Sequence, residues 1–333
     1  MRRNADSVVR FVGTARGLEN KLVPNAGFAL SLIESSGLKN VGLAARLKGL
    51  FVLPKSFLAA RRLLKEFRPD IVVGAGGYVS GPVLLMASLL KIPTLVMESN
   101  ALPGFTNRQL ARFVDKAAVT FAASVPYFRG KAVVTGNPVR REFFAVKPKA
   151  RDANSFSVLI FGGSQGARAI NFAMVDALPQ LTEQKGRLRI THQTGPHDFD
   201  KVNAGYAAAG WQADVRQYLD NIVEQFAAAD LIICRAGATT AAELVAAGKA
   251  ALMIPFPLAA DDHQRKNAEA LQEGGAAQMI LQKDLTGESL ANELKALINA
   301  PEQITQMENN ARQLAKGDAA ATTVDLIETL VKK

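Results

Sequence analysis

The chain contains little cysteine, histidine and tryptophan, with one, three and one of each among 333 residues. A single cysteine, Cys234, cannot form a disulfide within the chain, which excludes a disulfide-stapled scaffold and a metal site built on several cysteines. We interpret Cys234 as a small buried apolar residue at a strand end rather than as a nucleophile. This cysteine count is typical of proteins in a reducing compartment.

Long hydrophobic runs are also missing. No window of the sequence approaches the roughly 18 uninterrupted apolar residues that a membrane-spanning helix requires. The first residues run into the segment Val8 to Val12, which is too short and too polar for the apolar region of a signal peptide. Secretion is therefore not expected, and any membrane contact is expected to be peripheral.

The formal net charge of +10 requires an anionic partner to be considered. Lysine and arginine in excess serve nucleic acid, an anionic lipid surface or anionic substrates, and net charge alone does not choose among them. One tryptophan and four tyrosines provide few platforms on which bases could stack. No nucleic-acid partner is expected.

The length favours two domains of about 150 residues each. Short apolar runs alternate with longer helical patterns such as 43–67 and 107–113, an order typical of α/β folds with parallel sheets. The predicted strands are 8–12, 71–73, 94–97, 117–120, 132–135, 157–161, 189–192, 214–216, 231–234, 251–254 and 277–280. The polar segment 147–155 contains a proline and precedes a fresh strand, so we predict the interdomain linker there. The predicted domains are 1–146 and 156–310, followed by closing helices over 311–333.

The most informative motif is Gly162-Gly163-Ser164-Gln165-Gly166-Ala167-Arg168, which follows the predicted strand 157–161. In open parallel sheets, ligands bind beyond the carboxyl ends of the strands. A glycine-rich turn that enters a helix lets backbone N–H groups approach a phosphate closely. The motif therefore predicts a phosphate site, with a tight turn that holds no ligand as the alternative.

Two further turns have the same form, Gly74 to Pro82 and Cys234 to Glu243. The glycines of the first permit close approach of a bulky ligand. In the second, small residues and hydroxyls open a helix, and the carboxylate of Glu243 could accept both hydroxyls of a ribose. A helix-dipole partner in the first turn is the alternative for Glu243.

These turns occur in order with three more motifs, His192 to Gly195, Gly136-Asn137-Pro138-Val139-Arg140 and Asp261 to Ala268. Together they resemble the bacterial cell-wall enzymes of glycosyltransferase family 28, from about Val12 to the C-terminal helices. The resemblance implies a GT-B fold, in which two Rossmann-like, doubly wound parallel-sheet domains face each other across a cleft. It also implies transfer of N-acetylglucosamine from UDP-N-acetylglucosamine to lipid I in peptidoglycan synthesis, with inversion at the anomeric carbon and without a metal or other cofactor.

The resemblance assigns roles to individual positions. The donor UDP-N-acetylglucosamine is expected to contact Asn100, Arg140, Ser164, Leu219, Ala238, Thr239, Thr240, Ala241, Ala242, Glu243 and Gln264. Backbone contacts to phosphate are expected at Gly163, Gln165 and Gly166, and the acceptor side is expected at Gly76, Gly77, Tyr78 and Ser80. Taken singly, Asn100 could instead be a helix cap, Arg140 a surface ion pair and Gln264 an exposed helix residue.

The sequence departs from the family at its start. The family begins with a strand and a turn of the form Gly-Gly-Thr-Gly-Gly-His, whose histidine is a proposed base, and the strand over Val8 to Val12 corresponds to the family's second. We therefore expect an N-terminally truncated reading of a longer protein, with the edges next to the missing strand exposed. Glu98 is then the nearest candidate for the general base, or a residue that positions Asn100 or the acceptor.

A basic amphipathic stretch covers 43–65, where six lysines and arginines interleave with leucines and phenylalanines and no acid occurs. This pattern fits docking on anionic lipids at the cytoplasmic face of the inner membrane, beside a lipid-linked acceptor. A core helix with a solvated basic face is the alternative.

Three other functions stay open. A UDP-N-acetylglucosamine 2-epimerase could have the same fold but would not need the basic stretch. The charge alone suggests a nucleic-acid or nucleotide-binding module. An inactive truncated chain could still bind the UDP-sugar through its second domain.

Overall fold

The computed structural model describes residues 4–15, 17–34 and 43–332. The side chains of residues 43–53 and of Tyr78 lie outside this description. In the described part, no helix is both long enough and apolar enough to cross a bilayer.

The first half of the chain alternates strands with helices. Its strands are β1 (Arg10–Gly13), β2 (Ala29–Leu32), β3 (Val72–Gly74), β4 (Thr94–Glu98), β5 (Lys116–Val119) and β6 (Ala132–Val134). Its helices are α1 (Glu19–Asn25), α2 (Leu43–Phe67), α3 (Gly77–Leu89), α4 (Phe105–Leu110) and α5 (Arg141–Phe144), with a 3-10 helix at Ala122–Phe128. The strand β2 is not among the sequence predictions.

The strands of the first half form two separate parallel sheets. β1 pairs only with β2 among the described residues, and β3, β4, β5 and β6 form a four-stranded sheet in that order. One apolar cluster joins the two sheets, because Val12 and Val72 both pack against a cluster that contains Ala60 and Leu64 of α2 and Val83 of α3. Side-chain packing, rather than a backbone ladder, therefore links the two sheets.

The second half forms one parallel sheet. Its strands are β7 (Phe156–Phe161), β8 (Leu188–Gln193), β9 (Asp214–Arg216), β10 (Leu231–Cys234), β11 (Ala251–Met253) and β12 (Ala277–Met279). Its helices are α6 (Arg168–Ala177), α7 (Phe199–Ala208), α8 (Ile222–Ala228), α9 (Ala238–Ala247), α10 (His263–Glu273), α11 (Gly287–Ile298), α12 (Pro301–Leu314) and α13 (Ala319–Val331), with 3-10 helices at Leu178–Gln184, Ala260–Asp262 and Gln282–Asp284. The predicted α/β class with parallel sheets in both halves is confirmed.

The second sheet is buried on both faces. Ile160 and Ile233 point into one core, and Leu159 and Ile232 point into the core on the opposite face. Strands covered by helices on both sides read as continuous apolar runs, which explains the sequence of β10. Cys234 ends this strand, is fully buried, and has its pKa raised by burial and by the nearby charge of Glu243.

The order of the strands, β12-β11-β10-β7-β8-β9, places a reversal beside β7. The chain runs outward from β7 to β9 and then returns to β10 on the other side of β7. In doubly wound sheets, this topological switch point opens a crevice at the carboxyl ends of the two strands. The turns that follow β7 and β10 therefore border one crevice.

The C-terminal helix crosses back to the first half. Leu330 of α13 packs with Leu95 of β4 and Ala118 of β5. Residue 310, which was predicted to end the second domain, lies within α12, so the predicted boundary cuts through a helix.

The predicted linker 147–155 is fixed to the second half by two ion pairs. Lys149 Nζ lies 2.6 Å from Asp230 Oδ2, and Arg151 Nη2 lies 2.9 Å from Glu308 Oε2. Both carboxylates are nearly fully buried, so these contacts anchor the start of the second half.

Candidate functional site

The turn after β7 projects from the carboxyl edge of the second sheet. Gly163 and Gly166 have φ of 86° and 75°, and the Gly166 N–H donates to the Gly163 carbonyl at 2.8 Å. Ser164 and Gln165 are exposed between them. Helix α6 begins only at Arg168, so the turn stands ahead of the helix with its backbone open to a ligand.

A second turn supports this one from behind. A Cβ on Gly166 would lie 1.8 Å from the Thr194 carbonyl oxygen, and one on Gly195 would lie 2.2 Å from the Gln165 carbonyl oxygen. The Gln193 side chain donates to the Gly163 carbonyl at 2.8 Å. The backbone approach requires glycine at both positions, because no side chain fits between the two turns.

A buried polar network lies beneath the two turns. His192 Nδ1 is 3.0 Å from the Tyr206 hydroxyl, and His192 Nε2 is 3.1 Å from Asn171 Oδ1. The Asn171 amide donates to the Thr194 carbonyl and to Asp198 Oδ2, so its oxygen accepts from the Nε2–H of His192 and the Nδ1 of His192 accepts from Tyr206. Burial lowers the pKa of His192 to about 3. The ring is therefore neutral at physiological pH, and sequence reasoning did not predict this network.

The turn after β10 opens helix α9. Gly237 precedes the helix, which begins at Ala238, and the first turn of the helix contains no acidic residue. Glu243 lies in the second turn, so the alternative that it is a first-turn dipole partner is wrong. Of the other predicted contacts in α9, Ala238, Thr240 and Ala242 are half-buried, Thr239 is exposed, and Ala241 packs in the core.

Arg140 lies close to Glu243. It immediately precedes α5, which packs against α9, and its guanidinium lies 5.1 Å from the centre of the Phe143 ring. Burial raises the pKa of Glu243, and the charge of Arg140 acts in the opposite direction. The structure thus brings a cation and a partly buried carboxylate together beside the turn after β10.

Leu219 contributes to the site differently from the other predicted donor residues. The residue is 3% exposed, and its side chain belongs to the core cluster that contains Phe226. The family resemblance assigns the backbone of this residue, near uracil, to the donor site, and a side chain packed in the core is compatible with that role.

Glu98 ends β4 and is nearly fully buried. Its Oε1 accepts from the backbone N–H and the side-chain amide of Asn100, at 2.9 and 3.2 Å. Its Oε2 accepts from the Gly104 N–H and the Asn107 amide, at 2.9 and 2.8 Å. One carboxylate therefore organises the segment between β4 and α4. Asn100 is not the cap of α4, because Gly104 occupies that position.

Asn267, which the sequence analysis missed, joins the two halves. Its Oδ1 accepts from the Ala101 N–H at 2.8 Å. Its amide donates to Asn100 Oδ1 at 3.2 Å and to the Ala236 carbonyl at 3.1 Å. The segment after β4 and the turn after β10 thus meet at a fully buried side chain.

Gln264 lies in the first turn of α10, half-buried, and its Oε1 accepts from the Phe256 N–H at 2.9 Å. The two residues before this helix, Asp261 and Asp262, both have φ of 56°. A left-handed conformation costs about 1–2 kcal/mol for a residue other than glycine, although aspartate tolerates it better than most. The turn that presents Gln264 is therefore strained.

On the predicted acceptor side, Gly76 and Gly77 have φ of 92° and 77° and face open space. The hydroxyl of Ser80 is buried and donates back to the Gly76 carbonyl, so it stabilises the turn. The Tyr78 side chain lies outside the described residues.

The second half also contains a cavity of about 600 Å³ at the amino ends of β7 and β8, lined in part by Arg189, Tyr206 and Trp211. It lies at the opposite end of the sheet from the glycine turns, and it is not the candidate site. Within the described ranges, no group of three or more histidine, cysteine or acidic side chains is arranged to hold a metal ion.

Comparisons with known proteins agree with this geometry. The N-terminal domain of glycosyltransferase family 28 matches residues 3–119, and the C-terminal domain of that family matches residues 157–324. The chain is 46% identical to the UDP-N-acetylglucosamine--N-acetylmuramyl-(pentapeptide) pyrophosphoryl-undecaprenol N-acetylglucosamine transferase of Anaeromyxobacter sp. (strain Fw109-5), over 99% of this chain and 87% of the relative. It is 44% identical to the transferase of the same name from Geobacter sulfurreducens, over 99% and 92% of the two chains.

Solved structures show the same likeness. The crystal structure of Acinetobacter baumannii MurG superposes with a TM-score of 0.83 at 35% identity, covering 97% of this chain and 91% of that one. The UDP-GlcNAc 2-epimerase of Neisseria meningitidis superposes with a TM-score of 0.66 at 14% identity, covering 98% and 92%, and shows the fold alone. The expected GT-B fold is confirmed.

Proposed function

The chain belongs to glycosyltransferase family 28, and we propose that it transfers N-acetylglucosamine from UDP-N-acetylglucosamine to lipid I, the undecaprenyl-pyrophosphoryl-linked muramoyl pentapeptide. The product, lipid II, supplies peptidoglycan synthesis, on which cell shape and division depend. The observation that carries this proposal is the 46% identity to a transferase of that name over 99% of the chain. The turns after β7 and β10, which border one crevice, support it.

The donor is proposed to occupy the crevice beside β7. The backbone amides of the Gly163 to Gly166 turn other than the Gly166 N–H, which donates within the turn, would stabilise the negative charge that develops on the UDP leaving group. The Ser164 hydroxyl and the Arg140 guanidinium would do the same. The carboxylate of Glu243 would accept hydrogen bonds from the ribose hydroxyls, and the Leu219 backbone would bind uracil. Asn100 and Gln264 would contact the sugar. These protein groups would stabilise the leaving-group charge without a metal ion or another cofactor.

The acceptor is proposed to enter from the first half, beside Gly76 and Gly77. Its 4-hydroxyl would attack the anomeric carbon from the face opposite UDP. The C–O bond to the acceptor would form as the bond to UDP breaks, and the hydroxyl proton would pass to a general base. This direct displacement inverts the anomeric centre.

A transfer assay tests the proposal. Labelled UDP-N-acetylglucosamine and a lipid I analogue should yield one labelled lipid product for each UDP released. Because one electrostatic donor is worth about 10²–10³ in rate, Arg140→Ala should reduce kcat/KM by about that factor. Arg141→Ala is the matched control, since Arg141 is highly exposed and pairs with Asp318, and it should retain wild-type activity.

Two results would contradict transferase function. Conversion of UDP-N-acetylglucosamine to its 2-epimer without an acceptor would favour the epimerase. Tight binding of the donor without turnover would favour an inactive binder.

For Glu98, the four accepted hydrogen bonds favour a positioning role over proton transfer. Glu98→Gln replaces an acceptor by an amide that cannot satisfy the same donors, so activity should fall. If Glu98 only positions Asn100, the residual activity should keep the wild-type pH profile. If Glu98 is the general base, the acidic limb of the profile should disappear.

Peripheral docking at the cytoplasmic face of the inner membrane is proposed for α2. In its described half, Ala60 and Leu64 face the core, while Lys55, Arg61 and Arg62 are exposed around Leu58, which is 67% exposed. Each basic residue near an anionic leaflet contributes about 1 kcal/mol. The side chains of the preceding turns, 43–53, lie outside the described residues.

Vesicle binding tests the docking surface. Arg61→Glu with Arg62→Glu should weaken sedimentation with anionic vesicles by at least about tenfold, because two favourable charges become unfavourable. Lys185→Glu with Lys201→Glu makes the same change in net charge on the second half and should have little effect. Equal loss in both pairs would indicate a net-charge effect without a docking face.

A further inference from the structure

Two separate links join the region just after β4 to helix α10 and the turn that precedes it. Asn267, in the second turn of α10, binds Asn100 and Ala101 through its side chain. One turn before, Arg108 Nη2 of α4 lies 2.9 Å from Asp261 Oδ2, immediately ahead of the same helix. Gln264 lies between these two links. Helix α10 is therefore held at both its start and its second turn by the first half.

The Arg108–Asp261 link acts on a strained part of the chain. Asp261 and Asp262 both adopt left-handed φ, and the His263 ring nitrogen Nδ1 is 2.6 Å from the Ala260 carbonyl oxygen. The ion pair is partly shielded, since the side chains of Arg108 and Asp261 are 29% and 19% exposed. A charge-assisted hydrogen bond in such a setting is stronger than a fully exposed one.

We propose that Arg108 is a positioning residue for the donor sugar. It contacts no proposed ligand position itself. By holding Asp261 from the other half, it stabilises the left-handed turn that presents Gln264, and so completes the sugar end of the donor site. This inference rests on the proposed function, because it takes the ligand of Gln264 to be the sugar of UDP-N-acetylglucosamine.

The placement of the link predicts which part of the donor is affected. The proposed contacts of uracil, ribose and phosphate lie on the turns after β7 and β10, on the Leu219 backbone and at Arg140. None of these segments contains the Asp261 turn. Loss of the link should therefore weaken recognition of the sugar and leave recognition of UDP unchanged.

Titration calorimetry with UDP-N-acetylglucosamine and with UDP tests this prediction on the full chain. Arg108→Gln should raise the Kd for UDP-N-acetylglucosamine about tenfold, the effect of one charge-assisted hydrogen bond, while the Kd for UDP changes by less than about twofold. Arg108→Lys keeps the charge and should recover part of the affinity. Arg112→Gln, the same change four residues later at an exposed position that stacks on Phe113, should bind both ligands as wild type does.

A double-mutant cycle identifies the partner. Asp261→Asn tolerates the left-handed conformation but removes the charge, so it should weaken sugar binding less than Arg108→Gln does. Combining the two changes should raise the Kd for UDP-N-acetylglucosamine little more than Arg108→Gln alone does. Simple additivity would overturn the coupling.

The remaining outcomes separate this inference from the proposed function. Equal weakening of UDP and UDP-N-acetylglucosamine by Arg108→Gln, or no weakening of either, would overturn the positioning role while the wild type still binds the donor. If the wild type binds neither ligand, the proposed function itself fails.

Discussion

The two halves of the molecule carry parallel strands of similar length but complete their sheets differently. The second half has six strands in one ladder, and β10 and β11 are buried throughout. The described first half has a pair and a separate sheet of four, and Phe11, Leu32 and Val73 of its strands are 41%, 49% and 40% exposed. Parallel strands normally have both faces covered, so the strands of the first half are the less completely covered of the two sets.

This contrast separates two sources of stability. The second half contains its own two cores, one on each face of its sheet. The first half depends on α2 and α3 to join its two sheets, and on α13 from the far end of the chain. We therefore expect the second half to be the more stable unit, and it also holds most of the proposed donor contacts. Because Trp211 is the only tryptophan and lies in the second half, its fluorescence reports on that half alone.

The largest expected effect is a loss of unfolding free energy in the second half, whose six strands form one sheet. Phe226 is fully buried and packs edge-on against Phe143, so Phe226→Ala should lower the free energy of unfolding by about 3–5 kcal/mol. Urea unfolding followed by Trp211 fluorescence measures it. Phe11→Ala, in the half-exposed strand β1, should lower the opening free energy of that strand by about 1 kcal/mol or less. Hydrogen exchange of β1 measures this change. Equal losses would remove the distinction between the halves.

The next largest effect concerns α13, the C-terminal helix that packs against the sheet of the first half. Leu330→Ala should lower the opening free energy of β4 and β5 by about 2–3 kcal/mol, because Leu330 packs on Leu95 and Ala118. Hydrogen exchange of these strands measures it, and the Trp211 unfolding midpoint should stay unchanged. Val331→Ala, at the exposed neighbouring position, is the control. A shift of the Trp211 midpoint would show that α13 stabilises both halves equally.

The smallest expected effect is a loss of stability of the second half in acid, which brings its stability closer to that of the first half. The pKa of His192 is about 3 in the folded chain and about 6.5 when unfolded, so the unfolded state binds the proton more tightly. The stability present above pH 6.5 is therefore lost as pH falls towards 3, by about 2 kcal/mol between pH 7 and pH 5. The Trp211 urea midpoint at the two pH values measures it.

Substitutions assign this loss to one ring. His192→Gln should reduce the difference between the two pH values, whereas His197→Gln, at an exposed position, should leave it unchanged. An unchanged difference in His192→Gln would place the acid sensitivity elsewhere.

Sequence patterns predicted all six strands of the second sheet, helped by continuous apolar runs such as those of β10 and β11. The predicted strands 214–216 and 231–234 have the observed bounds. In the first half, Ala29–Leu32 was missed, since four residues with one serine and no β-branched side chain carry little strand signal. The helix predicted over 107–113 is observed earlier, at Phe105–Leu110.

The candidate site divides in the same way. Glycines that follow an apolar strand mark a turn locally, so the turns after β3, β7 and β10 were visible in the sequence. The contacts of Asn267 with Asn100 and of Arg108 with Asp261 join residues 167 and 153 positions apart. Pairs so distant depend on how the halves meet, which local patterns do not encode.

The single cysteine has a practical consequence. Because Cys234 is fully buried and burial raises its pKa, its thiol should react slowly with maleimides at neutral pH in the folded protein. Cysteines introduced at exposed positions, one in each half, would then carry a donor and an acceptor dye without removal of the native residue. Single-molecule energy transfer between the dyes would follow the separation of the halves while the sugar nucleotide binds and leaves.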